Sequence, residues 1–371
     1  MSETNFGIVT SGSVGWKTVR KRWEEDLADL RPTIHHIEDH ARALAGVTER
    51  YGAKSVGHAV AGRLAASAAL AAGAKVVLLT TLQNSPLLPL REDVTYLVYG
   101  DCTTSQLAEL YGGKKVGLPG ALLSRRLRRL AAHGCTFLCM SKWYADALRD
   151  EFGVAEDRVV ALPFYVDTDK WRPLASKPAT GRPQALFVGG DLARKGGDIV
   201  YALARAERFR NVDFHIVSPD ATPAPDNVHA YRNFSADSPD LARLAAQCDI
   251  FLLPTRADTS SNAAMEAAAC GLPAIITRRG GTGEIVLDGV TGAVLPEPTL
   301  ASFAERLSAY LADPELLARH GRNAREHVER NFSRTAHMKI LRSAIDDAFA
   351  MLRRRSGATT DIDGASAHLM G

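Results

Sequence analysis

Ile250-Phe251-Leu252-Leu253-Pro254-Thr255 opens the stretch that decides the fold; Asp258, Glu266, the run Ala267–Pro273 and Gly280-Gly281 follow, ahead of Glu284-Ile285-Val286. The apolar run Ile250–Leu253 is short and bounded by Pro254, as a strand buried on both faces of a parallel sheet should be. Asn262–Ala269 is small and alanine-rich, which predicts a tightly packed helix. The whole reads strand, loop, helix, strand, glycine loop. Asp258 and Glu266 bracket the helix start, where backbone N–H groups can hold the phosphates of a nucleotide ligand. Helix capping alone would also place an acid there, so Asp258 as a cap and Glu266 as a solvated helix residue remain open readings.

A second segment has the same character. Ala185-Leu186-Phe187-Val188-Gly189-Gly190 is an apolar strand ending in glycines, followed by Asp191-Leu192-Ala193-Arg194-Lys195-Gly196-Gly197-Asp198 and a helical pattern from Ile199 to Glu207. Glycines let the chain turn tightly and approach a ligand, and Arg194 and Lys195 offer a guanidinium and an ammonium to a diphosphate. Strand, basic glycine loop and helix together make a phosphate cradle, the alternative being a solvated loop with an incidental Arg-Lys pair.

The two segments, in this order, resemble the donor site of family 4 (group 1) glycosyltransferases, retaining enzymes of the GT-B fold. That family's pattern is a Glu, seven residues, a second Glu, then A-x-x-x-G-x-P; Glu266, Ala267, Gly271 and Pro273 fall in register, with Asp258 in place of the first Glu. The resemblance implies that Asp258 lies near the donor sugar hydroxyls and that Glu266 contacts the ribose. Residues 188–196 resemble the family's V-G-R-x-x-x-x-K-G signature, in which a Lys and an Arg neutralise the leaving nucleoside diphosphate. Lys195 is the Lys, while the usual Arg position is Gly190, so the guanidinium would come from Arg194. Donor-binding positions implied are Gly189, Gly190, Arg194, Lys195, Ser261, Asn262, Ala263 and Glu266, joined by Gly12 and Gly15 in the loop after the first strand. The resemblance also implies a metal-independent reaction with no cofactor beyond the nucleotide sugar as substrate. The main rivals are a nucleotide-sugar-binding protein without transferase activity and a nucleotide-sugar epimerase. A phosphorylase would need a lysine-bound pyridoxal phosphate motif, which is not seen. A dinucleotide-dependent oxidoreductase is disfavoured because no G-x-G-x-x-G follows the first strand.

Length and composition agree with a two-domain α/β protein. A chain of 371 residues suits two domains of roughly 150–180 residues. We read residues 1–173 as a Rossmann-like acceptor-binding domain and 174–333 as the donor domain. Residues 334–355 would be a helix returning to the first domain, and 356–371 an unstructured tail. Strand candidates in the first half are Gly7–Thr10, Val76–Leu79, Thr95–Val98 and Thr136–Met140, with helical patterns at Trp16–Leu30 and Ala59–Ala72. Pro163–Pro173 resembles the family's P-x-G-V-D-x-x-x-F-x-P segment leading out of the first domain, and Leu174–Pro183 is the linker. Its Asp167-Thr168-Asp169 imitates a metal-binding D-x-D but lies in an interdomain loop, so no metal site is assigned.

A net charge of +3 gives no reason to expect a nucleic-acid partner. No leader pattern is visible and no run approaches the about 18 apolar residues that span a bilayer, so a cytoplasmic location is expected. The five cysteines are scattered and never C-x-x-C, against disulfides and structural zinc. In the first domain Asp101 follows a strand at its carboxyl end, where α/β sheets bind ligands, and is read either as a cleft residue or as a helix cap. Trp16 is read as a sugar-stacking residue or as packing. Arg125, Arg126, Arg128 and Arg129 form a basic patch that fits either a solvated helix face or peripheral contact with anionic lipid at the inner membrane face. His35-His36 is read as solvated or capping.

Overall fold

The computed structural model describes residues 5–10, 16–42, 54–80, 87–112, 118–177, 181–234 and 238–367. Two six-stranded sheets organise them. The first has the order β2 (Thr33–His36), β1 (Phe6–Thr10), β3 (Val76–Thr80), β4 (Thr95–Gly100), β5 (Thr136–Cys139) and β6 (Val159–Ala161). The second runs β12 (Gly292–Leu295), β11 (Ala274–Thr277), β10 (Ile250–Leu253), β7 (Gln184–Val188), β8 (Asp213–Val217) and β9 (Val228–Tyr231). Every pairing within both sheets is parallel. Parallel sheets take helices on both faces, which is why β1, β3, β4, β5 and β10 are buried along their whole length. In the second sheet the order reverses between β7 and β10. Open α/β sheets bind ligands at the carboxyl ends of the strands on either side of such a reversal.

Between the sheets the chain runs along 162–183, exposed from 172 to 177, with 178–180 outside the described residues. Asp167 Oδ1 accepts the N–H groups of Asp169 and Lys170, both at 3.1 Å, so this acid closes a turn. Arg325 grips the same segment, donating to the carbonyls of Trp171 and Ala269 at 2.7 Å and of Thr168 at 3.1 Å.

The last helix, Arg334–Ala367, extends beyond the expected end at Arg355; residues 368–371 lie outside the described ones. Met338, Leu341, Ala344, Ile345 and Ala348 share a buried cluster with Phe6, Trp23, Leu27, Val76, Leu78 and Tyr99 of the first domain. Polar contacts fix the docking. Asp26 accepts Arg334 Nε at 2.7 Å and the Tyr165 hydroxyl at 2.6 Å, while Arg342 forms a two-pronged pair with Asp29, both bonds at 2.8 Å. The Trp23 indole N–H donates to His337 Nε2 at 3.0 Å; indole nitrogen is only a donor, so the proton sits on Nδ1, which donates to the Pro163 carbonyl at 2.8 Å.

His35 and His36, read as solvated or capping, instead belong to the edge strand β2, half-buried, with His36 Nε2 3.6 Å from Glu24 Oε1. All five cysteines are free.

Burial lowers the His337 pKa to about 4. Its neutral form is the folded form, so this group's contribution is complete above pH 6.5 and is lost as pH falls from 6.5 toward 4, by about 3 kcal/mol. Urea unfolding measured between pH 7 and 4 should show that loss. His337→Gln, which can keep both hydrogen bonds without titrating, should flatten this part of the profile.

Candidate active site

The two glycine loops build the site by pressing on each other. After β7 the chain turns through Gly189-Gly190 and returns to the helix Gly197–Arg205. Gly196 adopts φ +80°, and a Cβ there would lie 2.0 Å from the Pro254 carbonyl oxygen at the end of β10. A Cβ on Gly189 would lie 2.9 Å from Lys195 Cβ, whereas one on Gly190 meets nothing within 4 Å. Gly196 therefore permits contact between the loops, Gly189 lets its own loop fold back against Lys195, and Gly190 keeps an open edge toward solvent.

That contact brings Lys195 Nζ onto the carboxylate of Asp258, with the two side chains 14% and 8% exposed. Burial pushes the Asp258 carboxyl upward, and Lys195 and then Arg194 pull against it. Arg194 donates to the Ala257 carbonyl at 2.8 Å and also binds Asp191. Arg256, not anticipated from sequence, sits in the same lacing but is committed to a bidentate pair with Asp198, both bonds at 2.7 Å.

Asp258 is no helix cap. The cap of Asn262–Ala269 is Ser261, whose hydroxyl accepts the Ala264 N–H at 3.3 Å. Ser261, Asn262 and Ala263 line a cavity of about 540 Å³, so the unpaired N–H groups of that first turn lie at its wall. Glu266, Gly189, Gly190, Arg194, Lys195 and Asp101 line it too, while Asp258 lies beneath, behind Lys195. Gly12 and Gly15 fall outside the described residues, as does the side chain of Trp16.

The first domain contributes the opposite wall. Asp101 follows β4; Thr103, with Gln106, caps the next helix, which leaves Asp101 to face the cavity. It accepts the hydroxyl of Thr259, from the other domain, at 3.1 Å. Burial raises its pKa, and that hydrogen bond partly offsets the rise. Four cations line the cavity, Arg22, Lys170, Arg194 and Lys195, against the carboxylates Asp101 and Glu266. Arg22 and Lys170 carried no signal in sequence because they come from a helix and a loop far from either motif. The far end is apolar, lined by Val217, Pro219, Phe234, Leu241 and Met265.

The basic patch is corrected in one position. Arg125, Arg128 and Arg129 are exposed, but Arg126 is 2% exposed, its guanidinium has no hydrogen-bond partner among the described residues, and burial lowers its pKa to about 10. Arg126 lies on the inward side of the helix, beside Leu127 and Leu130, which enter the core.

Two parallel α/β domains with a cationic cavity at the switch point of the second define a GT-B architecture. Residues 175–327 match the family model for glycosyl transferases group 1. In sequence the chain is 26% identical over 235 residues to a glycogen synthase of Mycobacterium tuberculosis, covering 59% of this chain and 57% of that protein. The chain thus spans little more than half the length of this curated relative. In fold it is similar to sucrose-phosphate synthase from Thermosynechococcus elongatus, with a TM-score of 0.72 at 15% identity, covering 93% of this chain and 99% of that one. It is also similar to Anabaena Alr3699/HepE in complex with UDP-glucose, with a TM-score of 0.64 at 14% identity, covering 92% and 99%. Among the described residues no helix is long and apolar enough to cross a membrane, and no group of His, Cys, Asp and Glu could hold a metal ion.

Substitution should separate the structural glycines from the open one. Gly196→Ala, strained in φ and overlapping Pro254, should cost about 2 kcal/mol or more in urea unfolding, and Gly190→Ala less than about 0.5 kcal/mol. Asp258→Ala, which strands a buried ammonium, should cost about 3 kcal/mol.

Proposed function

We propose that the protein is a retaining glycosyltransferase that moves a sugar from a nucleoside-diphosphate donor to an acceptor hydroxyl on a saccharide, glycan or lipid-linked molecule. The observation that carries this reading is the excess of cations around the cavity at the β7/β10 switch point, where the first turn of Asn262–Ala269 also lies. A diphosphate placed there meets Lys195, Arg194 and backbone N–H groups; the ribose lies toward Glu266 and the base toward Phe234 and Pro219. The donor carried by the HepE complex, UDP-glucose, belongs to this ligand class.

As the bond to the sugar breaks, charge grows on the departing diphosphate, and preorganised cations stabilise that change most. The anomeric carbon becomes oxocarbenium-like and the acceptor hydroxyl attacks from the face the phosphate leaves. Its proton passes to the leaving phosphate oxygen, so neither an enzyme nucleophile, a metal nor a further cofactor is assigned. Asp101 orients sugar and acceptor from the cavity wall, Asp258 holds Lys195 in place from beneath, and domain closure limits hydrolysis by water. We place the enzyme in the cytoplasm, with Arg125, Arg128 and Arg129 available for peripheral contact with anionic lipid.

A second reading, a nucleotide-sugar-binding protein without transfer, draws on Asp258 being one methylene shorter than the family's Glu and already engaged by Lys195. A thermal-shift and calorimetric screen of UDP, GDP, ADP and NAD tests the ligand class. One nucleoside diphosphate should bind at micromolar Kd, and Lys195→Ala should weaken it at least about tenfold; no response, or a response to NAD alone, contradicts the proposal. Sugar transfer from the matching donor then separates enzyme from binding protein.

A further inference from the structure

Glu284 ends the short helical segment Gly280–Glu284 and takes no part in lining the donor cavity. Its carboxylate reaches into the other domain, accepting the N–H groups of Lys142 and Trp143, each at 2.7 Å, in the first turn of the helix Lys142–Phe152. Ser141 caps the same turn, its hydroxyl accepting the Tyr144 N–H at 3.1 Å. The first N–H groups of a helix have no intrahelical partners and carry partial positive charge, so an ionised carboxylate is held there more firmly than a neutral acceptor. Two of this turn's N–H groups are therefore satisfied by protein only while the domains stay together.

The clamp is built into the loop that carries the buried acid. Gly281 N–H donates to the Thr259 carbonyl at 2.9 Å. A Cβ on Gly280, at φ +52°, would lie 2.3 Å from the Asp258 carbonyl oxygen. A Cβ on Gly281 would lie 2.5 Å from Ser141 Cβ across the domain boundary and 2.8 Å from the Thr259 carbonyl oxygen. Thr259 then donates from its hydroxyl to Asp101 of the first domain at 3.1 Å. The interdomain contact and the Asp258 loop thus move as one unit, with no slack at either glycine.

We propose that Glu284 is a positioning residue for transfer: by capping Lys142–Phe152 it closes the first domain onto Gly280–Glu284 and, through Gly281 and Thr259, holds Asp101 at its place on the cavity wall. What the closed state accomplishes rests on the glycosyltransferase reading; the clamp does not. Its loss leaves the diphosphate subsite intact and misplaces the acceptor wall.

Small-angle X-ray scattering of the full chain, alone and with each of UDP, GDP and ADP, tests this on wild type, Glu284→Ala, Glu284→Gln and Gly281→Val. Calorimetry, thermal unfolding and transfer rates are measured on the same samples. Glu284→Ala should enlarge the radius of gyration, keep the thermal midpoint and hold the diphosphate Kd within about threefold, while kcat for transfer falls at least about tenfold at little-changed donor KM; Gly281→Val, whose side chain also overlaps the Thr259 carbonyl, should enlarge the radius and lower the midpoint as well. Glu284→Gln should fall between, since its amide offers one acceptor oxygen for two N–H groups. Unchanged scattering and kcat in Glu284→Ala, or a joint loss of midpoint, Kd and kcat, would overturn the proposal. If none of the three diphosphates binds wild type, the glycosyltransferase reading fails instead, and the scattering comparison still decides the clamp.

Discussion

A buried charge pair, Lys195 with Asp258, is the constraint on which the second domain's side of the cavity depends. Taking either ion out of water alone is costly, and mutual attraction repays that cost only where the geometry is held firmly. Here the holding is done by backbone. Gly196 lets the β7 loop touch Pro254, Gly280 lets its loop touch Asp258, and Arg194 and Arg256 cross-link the two loops through carbonyls. In the proposed reaction an arriving diphosphate would supply new negative charge to a lysine whose present partner sits beneath the cavity, so ligand and Asp258 would share one ammonium between them.

A second constraint holds the first domain in place. The last helix returns from the donor domain and enters the first domain's core. Its position is fixed by Asp26, Asp29 and the neutral His337. With the hinge gripped by Arg325, the two sheets share a continuous frame on one side of the cleft. On the other side they meet at Thr259 and Asp101 and at Glu284.

How much of this was legible in the chain follows from what each element touches. Ile250–Leu253 and Ala185–Val188 stood out because strands buried on both faces must be apolar throughout. The glycine loops stood out because their conformations admit few other residues. β2, β8, β9 and β12 were not foreseen: Thr33–His36 is half-buried all along, and Val228–Tyr231 mixes buried and exposed positions, so neither of these two shows a clean period. Lys195 and Asp258 were each singled out in the sequence, but their pairing was not, since nothing local joins loops 63 residues apart. Capping was misleading at Asp101 and Asp258 because Thr103 and Ser261, a few residues on, do that work. Arg126 looked like surface charge until the helix phase turned it inward.

The most direct test is a crystal structure of the protein with the nucleoside diphosphate that it binds. The account predicts phosphate oxygens within hydrogen-bond reach of Lys195 Nζ and of the first turn of Asn262–Ala269. The ribose should be at Glu266 and the base against Phe234, with Asp258 still beneath the lysine. A diphosphate bound elsewhere, or one seated in the cavity without contact to Lys195, would contradict it.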